Sequence, residues 1–515
     1  VRTMLRDARL KTVLILVGFL GLGVVASLGF RFPGAYFWTA VAFVGFIYLL
    51  IQEKQPKVGA LDAFSFGIGY FASGLTWVFH SVYVYGNAPW LLAALSVLAL
   101  SAVLSLFPAV AGYLAVKIRV PAALKASLLI PLLWTGAEFL RGEWIGGFGW
   151  LSVGYAFTDN MLSSWAPILG VYGVTLVILL TVGGASGVLM RSEALATRLL
   201  SGLICVTAVL GAYALKDIAW SSPTSRLEVR LVQPDLPVTT RATYAMQQKA
   251  LERVEAMSLS HPLGRPIDLI LWPESVYAFL PASLPEAWKE IPQKVAQKQG
   301  SEVLFNAFSM PKKCAISNTL YLANADQTRP IYSKRHLVPF GEFVPYGFRW
   351  MVDALAIPMA DQVPGSAPSE PVSVAGIPTA LGICYENMFP AELTDWFDVG
   401  NPNLIIYSAN LGWFSEAALR EFSQMSRMRA KEAARPVLQV INNAGSALFD
   451  PAGVEVRRAG LGAQNLDVTV RLFSGNPTPF MYYGFAIFGA LWTLLFATIF
   501  GFCRLANRFS RKREA

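Results

Sequence analysis

NMLSSWAPILGVYGVTLVILLTVGGASGVLM, Asn160–Met190, holds no Asp, Glu, Lys or Arg. About 20 such residues span the hydrocarbon of a bilayer as a helix, so this stretch reads as a membrane span. Similar runs lie on both sides of it, at Phe32–Gln52, Ala63–Val116 and Leu472–Cys503. The composition agrees: of 515 residues 54% are hydrophobic and only 15% charged, and the mean hydropathy is +0.47. An ordinary soluble protein carries about 25% charged residues, so ions do not cover a globular surface of this size here. Spans are expected at about 12–30, 33–51, 60–80, 90–116, 125–140, 165–189, 199–216 and 482–503, eight in all. Gly86-Asn87-Ala88-Pro89 divides the longest uncharged stretch in two, because this turn chemistry favours a membrane face. The chain start, with Arg2, Arg6, Arg9 and Lys11 before an apolar run, resembles a secretory signal but offers no convincing cleavage site, and it is taken as a retained anchor.

The 42 Lys and Arg against 33 Asp and Glu give a net charge of +9 and a pI near 9.3. These cations form no stripe with interleaved aromatics, as a nucleic-acid surface would require; many sit just beyond apolar runs. Alternate connections hold Lys54 and Lys57, then Lys117, Arg119 and Lys125, then Arg191 and Arg198, and the tail adds Arg504, Arg508, Arg511, Lys512 and Arg513. The opposite turns offer Arg31 and Arg141. Positive residues stay cytoplasmic, which places the large segment after the seventh span outside. Cys205, Cys314, Cys384 and Cys503 lie in unrelated contexts without a metal-ligand spacing, so neither a disulfide framework nor a metal site is expected.

From Ser225 to about Leu472 the pattern becomes soluble and α/β. Leu227–Val232, Ile267–Leu271, Val303–Phe308, Thr319–Ala323, Thr379–Ile383, Leu404–Ser408 and Val437–Asn442 read as buried strands, with amphipathic helices at Arg241–Ser260 and Ser415–Ala434. The expected organisation is 1–220 for spans one to seven, 221–475 for the soluble catalytic domain, and 476–515 for the last span and a basic cytoplasmic tail.

Three strand ends in that domain carry reactive groups. Leu269-Ile-Leu-Trp-Pro-Glu274 leads an apolar strand into a carboxylate, and partial desolvation suits such a group to accept protons near neutral pH. Tyr332-Ser-Lys334-Arg-His336-Leu-Val-Pro-Phe-Gly-Glu342 presents an ammonium able to stabilise an oxyanion. Leu381-Gly-Ile-Cys384-Tyr-Glu386 ends a strand in a thiol, a strong nucleophile with a base nearby. Each has a bland alternative taken singly: Cys384 as a small core residue, Glu274 as a helix cap, Lys334 as a solvated turn residue, Glu342 and Glu386 as surface ion pairs. His336 is the one other candidate base for the thiol; His80 and His261 lie near a span end and in a loop.

Together, in this order and at these separations, the three segments resemble the Glu-Lys-Cys triad of the nitrilase superfamily. Within it, eight spans joined to an external domain resemble the apolipoprotein N-acyltransferase family over essentially the whole chain. The most specific stretches are WPE at Trp272–Glu274, YSKRHLVPFGEFVPY at Tyr332–Tyr346 and GICYE at Gly382–Glu386. Further matches are Asn410 with Trp413-Phe414, Met428-Arg429-Ala430 with Glu432 and Arg435-Pro436, Asn442-Asn443-Ala-Gly445, and Thr478-Pro479-Phe480. The resemblance implies a polytopic helical membrane domain plus an αββα sandwich, in a bacterial inner membrane with the catalytic domain on the periplasmic side. It implies that Glu274, Lys334 and Cys384 move a fatty-acyl chain from a membrane phospholipid, through a thioester, to the α-amino group of the S-diacylglyceryl cysteine of an apolipoprotein. No metal, soluble cofactor or nucleic acid enters, and the chain is expected to act as a monomer. Glu342, Tyr385 and Glu386 are implied supporting residues.

Because both substrates are anchored lipids, the site belongs at the bilayer surface, where aromatic residues are favoured. Trp272, Phe340, Phe343 and Trp413 are the expected substrate-contacting set, with Tyr277, Phe279, Phe348, Trp350 and Met351 as further candidates for interfacial arms and a lid. Ordinary α/β core is the alternative for any one of them. The chain departs from the family pattern at Asn410-Leu411-Gly412-Trp413-Phe414, where Asn-Asp-Ala-Trp-Phe is common, and at Glu421-Phe422, where Gln-His is common. Gln233-Pro234-Asp235-Leu236 and Arg241-Ala242 also replace the usual Gln-Gly-Asn-Ile and a downstream Trp. These bear on acceptor docking more than on thioester formation. Two rival classes stay open: a membrane-tethered nitrilase-type hydrolase that passes the acyl group to water, and a degenerate lipid- or lipoprotein-binding paralogue.

Overall fold

The computed structural model describes residues 2–32, 34–144, 147–238, 242–260, 266–312, 315–347, 349–350 and 361–514. The chain divides into two compact units, one comprising Val1–Tyr83, Pro89–Ile218 and Tyr483–Ala515, the other Val84–Ala88 and Ala219–Tyr482.

The first unit is helical. Among the described residues, five helices are long and apolar enough to cross a membrane: Leu10–Arg31, Trp90–Lys117, Ala122–Glu143, Met161–Leu189 and Leu195–Leu215. Pro56–Gly74 and Thr76–Tyr85 form a sixth only as a pair bent by 55°, and Tyr36–Leu50 and Ala486–Gly501 are shorter apolar helices. The expectation of eight full spans is therefore met by five or six, with helices of lesser length at the remaining expected positions. The span quoted first is not straight either: Gly170, at φ 66°, kinks it, a conformation glycine adopts without a Cβ clash. Leu95, Leu98, Val103, Leu106 and Val110 stand exposed along one helix, a surface suited to hydrocarbon and costly in water. Helices Leu10–Arg31 and Pro56–Gly74 approach so closely that a Cβ on Gly23 or Gly69 would collide with the carbonyl oxygen of Phe66 or Leu20, the small-residue packing of membrane helices. Two buried charged groups are paired: Glu138 accepts from Val153 N at 3.0 Å and Thr175 Oγ1 at 2.6 Å, and Arg141 donates to the Trp150 carbonyl at 2.7 Å.

Among its described residues, the second unit holds two six-stranded sheets. Its strands are β1 (Ser222–Gln233), β2 (Leu269–Leu271), β3 (Glu302–Lys312), β4 (Ala315–Ala323), β5 (Thr328–Ser333), β6 (Ser373–Val374), β7 (Ile377–Ile383), β8 (Leu404–Ala409), β9 (Val437–Ile441), β10 (Ala447–Phe449), β11 (Glu455–Arg458) and β12 (Gln464–Ser474). One sheet runs β12-β1-β2-β3-β4-β5 and the other β11-β10-β9-β8-β7-β6. Strands β1, β2 and β3 are parallel at the heart of the first, as are β7, β8 and β9 in the second, and their flanking partners are antiparallel. Every residue of β8 and β9 is buried, as expected of parallel strands covered on both faces. Helices Tyr244–Leu259 and Ile291–Gln299 cover the first sheet, packing Leu251, Val254, Val295 and Ala296 against Val232, Ile270, Trp272, Val303 and Phe305. The second sheet carries helices Pro390–Val399 and Glu416–Ala433; the latter buries Leu419, Phe422, Met425 and Met428 on one stripe. Gln233 ties the sheets together by donating to the carbonyls of Gly460 and Gly462 at 2.7 Å each and accepting from Ser446 N at 3.2 Å. This is the αββα sandwich, with all three chemically marked segments at the C-terminal ends of strands.

Candidate active site

Each segment leaves its strand for a local reason. After β2 the ladder continues one residue further, Trp272 N donating to Leu304 O at 2.9 Å, and stops at Pro273, which has no N–H to give. Glu274 follows, with Ser275 at φ 68° turning the chain away. Lys334 extends the pairing of β5 by donating its N–H to Asn318 O at 2.8 Å, while its own carbonyl accepts from Gly365 N at 2.7 Å. Strand β7 pairs with β8 as far as Ile383, and Cys384 then opens a 3-10 turn, Cys384–Met388, at φ 50°. A left-handed conformation at a non-glycine residue costs about 1–3 kcal/mol and persists only where the surroundings hold it.

The three side chains converge. The Cys384 thiol is buried within electrostatic reach of Glu274 and Lys334, and Lys334 Nζ lies 3.8 Å from Glu274 Oε1 and 2.7 Å from Glu342 Oε1. All are nearly enclosed, with side-chain exposures of 1% for Lys334, 8% for Glu274 and 13% for Glu342. Asn318 Nδ2 donates to Glu274 Oε1 at 2.8 Å and Asn410 N to Oε2 at 2.9 Å, so both carboxylate oxygens are fixed. Asn318 is itself oriented by Asn306, whose Nδ2 donates to Asn318 Oδ1. Glu342 closes on its own turn: Oε2 accepts from Val338 N at 2.8 Å and its N–H donates to Val338 O at 2.9 Å.

Burial raises the Glu274 carboxyl above its ordinary value, Lys334 pulls it down and Glu342 adds to the rise. Burial likewise pushes the Cys384 thiol well above its usual range, and the Glu274 carboxylate pushes it further. Burial by itself would lower Lys334, but the carboxylates of Glu342 and Glu274 outweigh it and hold the ammonium charged. At rest the thiol is therefore neutral, beside the Glu274 carboxyl and a fixed cation. Such a group of charges can take a proton from sulfur and stabilise the oxyanion formed by thiolate attack on a carbonyl.

Glu386 fastens the Cys384–Met388 turn. Its Oε1 accepts from Tyr332 OH at 2.8 Å, Arg335 N at 2.5 Å and His336 N at 3.2 Å, and its Oε2 from Ile383 N at 2.7 Å. One carboxylate thus links the Lys334 segment to the Cys384 segment. Glu386→Gln would present an amide N–H to at least one backbone N–H donor. Thioester formation is then expected to fall by about 10²-fold, and stability by about 1–3 kcal/mol, read by single-turnover acylation and denaturation of the detergent-solubilised chain. Burial and Glu392 raise Glu386 from 4.5 to about 7. The folded chain thus holds this proton more tightly than the unfolded chain between those values. The stability it contributes is present toward pH 4.5 and lost as pH rises through 7, and that slope should vanish in the Gln variant.

The remaining expected residues separate into groups. Tyr385 is buried beside the nucleophile, its ring edge-on to Phe389 at 5.3 Å. Phe340, at φ 61°, is 44% exposed, Phe343 is half-buried, and Trp413 is half-buried with its ring 5.2 Å from Tyr85 of the Val84–Ala88 segment. Trp350 is exposed; Phe348 and Met351 lie outside the described residues, as does Arg241. Trp272 is a correction: it is 1% exposed, its indole N–H donates to Ser258 Oγ at 2.9 Å, and it packs on Phe305. Strand alternation puts it with Ile270 on the helix-covered face, so it is core and offers no surface to a lipid. Tyr277 shares that core, and Phe279 stacks on Tyr244 at 4.9 Å. His336 stacks on Phe389 at 3.6 Å and places Nδ1 3.1 Å from Glu392 Oε1; the carboxyl that acts on the thiol is Glu274. Asn318 and Asn306 escaped the sequence reading, although an Asn inside an apolar strand run is itself a signal of a buried polar partner.

The Carbon-nitrogen hydrolase family model matches residues 228–472, the stretch that carries Glu274, Lys334 and Cys384 at its strand ends. Residues 22–184 match the Apolipoprotein N-acyltransferase N-terminal domain family. Curated relatives include the apolipoprotein N-acyltransferases of Ralstonia nicotianae, 32% identical over 90% of this chain and 88% of the relative, and of Bordetella bronchiseptica, 33% identical over 84% and 86%. That of Nitrosomonas europaea is 28% identical over 93% and 96%. Among solved structures, an amidase of the nitrilase superfamily from Nesterenkonia is 17% identical, with a TM-score of 0.40 over 53% of this chain and 99% of the amidase. The chain belongs to the apolipoprotein N-acyltransferase family.

Proposed function

We propose that the chain is a membrane acyltransferase of lipoprotein maturation, moving a fatty-acyl chain from a phospholipid of the bilayer to the free α-amino group of a diacylglyceryl-cysteine apolipoprotein. Glu274 takes the proton of the Cys384 thiol, and the sulfur attacks the ester carbonyl. The oxyanion forms beside Lys334 Nζ. As it collapses, the proton on Glu274 passes to the departing lysophospholipid oxygen, leaving a thioester on Cys384. The acceptor amine then attacks that thioester and gives a proton to Glu274, which returns it to the leaving sulfur. Two half-reactions let two bulky lipids use one site in turn.

Support comes from one arrangement above all: a buried thiol within electrostatic reach of a carboxyl group that itself lies 3.8 Å from a buried ammonium. The apolar helices support a location at the membrane, and the Lys and Arg asymmetry supports a site on the periplasmic side of a bacterial inner membrane. Extracting a fatty acid into water costs about 0.8 kcal/mol per methylene, so the sulfur must meet its donor at the bilayer surface. Exposed Phe340 and Trp350, with Phe343 and Trp413, are the residues we assign to contact lipid. The test is intact-mass analysis of the detergent-purified chain after exposure to phospholipid. One fatty-acyl addition is expected, absent from Cys384→Ala and released by a diacylglyceryl-cysteine peptide as the N-acylated product. Release to water at the same rate without the peptide would favour a hydrolase, and lipid binding without any adduct would end the enzymatic reading.

A further inference from the structure

Beside the Cys384 turn lies a buried polar chain that the reaction scheme does not use. Asn387 is fully buried, and its Nδ2 donates to Phe422 O at 3.0 Å and to Ser426 Oγ at 2.9 Å. Since a carbonyl only accepts, the amide orientation is settled by Phe422. Ser426 Oγ donates to Gln439 Oε1 at 2.6 Å, and Gln439 Nε2 donates to Gly445 O at 2.8 Å and to Ser423 Oγ at 3.2 Å. Gln439 lies on β9, and Asn442 directly follows the last residue of that strand, Ile441. Asn442 Nδ2 donates to Asn410 Oδ1 at 3.3 Å, and Asn410 N holds Glu274 Oε2 at 2.9 Å. The path begins three residues after the nucleophile and ends on its base.

Asn387 Oδ1 is buried and receives no hydrogen bond among the described residues. Leaving one half of a buried amide unpaired is costly, so packing alone is poorly served by asparagine here. Its two donors, however, fix the back of a turn whose first residue sits at φ 50°. Glu386 pulls the same turn toward the Lys334 segment while Asn387 pulls it toward helix Glu416–Ala433. We infer that Asn387 is a positioning residue for the acyl transfer, holding the strained Cys384 turn, through Ser426, Gln439, Asn442 and Asn410, at the separation from Glu274 that proton transfer requires. This rests on the reading of Cys384 as the acyl carrier.

The test compares full-length native chain, Asn387→Ala, Ser426→Ala and the double variant in detergent. Three quantities are measured: alkylation of Cys384 by iodoacetamide across pH, single-turnover acylation by phospholipid, and thermal melting. Asn387→Ala should acylate about 10- to 100-fold more slowly at saturating phospholipid, with half-saturation within about twofold of native. Its alkylation profile should move to lower pH as the thiol relaxes away from the buried carboxylate. Ser426→Ala, a milder change, should move both readouts in the same direction, and the double variant should be no slower than Asn387→Ala, because the residues share one path. An alkylation profile identical to native, a slowing that merely follows the unfolded fraction, or independent multiplication of the two effects would overturn the assignment. Alkylation needs no lipid. If the native chain takes up no acyl group, the acyltransferase reading fails while the alkylation profiles still judge Asn387.

Discussion

Lys334→Met is expected to lower the rate of Cys384 acylation by about 10³-fold or more, because the only cation facing both Glu274 and the nascent oxyanion among the described groups at the site is removed. It should also destabilise the fold by about 3–5 kcal/mol at neutral pH, the usual consequence of deleting one partner of a buried ion pair. The stability loss has a pH signature. Without the ammonium, burial and the Glu342 charge act on Glu274 unopposed by Lys334, so the Glu274 carboxyl holds its proton to higher pH in the folded chain than in the unfolded one. Stability should recover as the medium is acidified and fall as pH rises through the new folded-state value. Melting curves between about pH 5 and pH 8, set against the native chain, read this directly. Equal slopes for both proteins, or native acylation by the variant, would remove Lys334 from the centre of the site.

Glu274→Gln separates proton transfer from charge balance. Lys334 keeps its 2.7 Å partner Glu342, so the fold should suffer less than in Lys334→Met. The glutamine oxygen can satisfy Asn318 Nδ2 or Asn410 N but not both, and its N–H meets the other donor. Acylation is expected to drop by about 10²- to 10⁴-fold, the range for loss of a general base. In the native chain the rate should rise with pH through the titration of Glu274, which burial holds above the ordinary carboxylate range. The variant should lack that limb and gain rate only where Cys384 ionises unaided, well above the usual thiol range. A variant retaining the native pH–rate profile would show that another group takes the thiol proton.

Much of this architecture is legible in one sequence because its physical causes are local. Parallel strands such as β8 and β9 are covered on both faces and so appear as unbroken apolar runs, found within a residue or two. Edge elements hide. Strand β5 is exposed over Thr328-Arg329-Pro330, contains a proline at a register shift and reads as loop, although it delivers Lys334. Strand β12 alternates partly exposed with buried residues at the end of the domain and was passed over. In the membrane half, composition identifies apolar helices but not their straightness: neither the 55° bend after Gly74 nor the kink at Gly170 follows from a count of uncharged residues. At the site, Glu274 and Cys384 stand out as polar groups terminating apolar strands, and Lys334 as an ammonium in a dense polar cluster. Asn318 and Asn387 do not, since a single amide has no periodicity and its partners lie 44 and 35 or 39 residues away. Trp272 misled for the opposite reason: adjacency to the acid in sequence implied adjacency to the substrate, but the pleat turned the ring to the other side.

Two carboxylates around one ammonium give the enclosed cluster a single surplus negative charge when both are ionised. In the proposed first step a proton merely crosses from sulfur to Glu274, so that surplus is the same before and after. Nothing has to be imported from solvent to balance it, and no counter-ion has to follow. Activation of the nucleophile should therefore be nearly indifferent to added electrolyte, leaving ionic strength to act on how lipids approach rather than on what happens to them once inside.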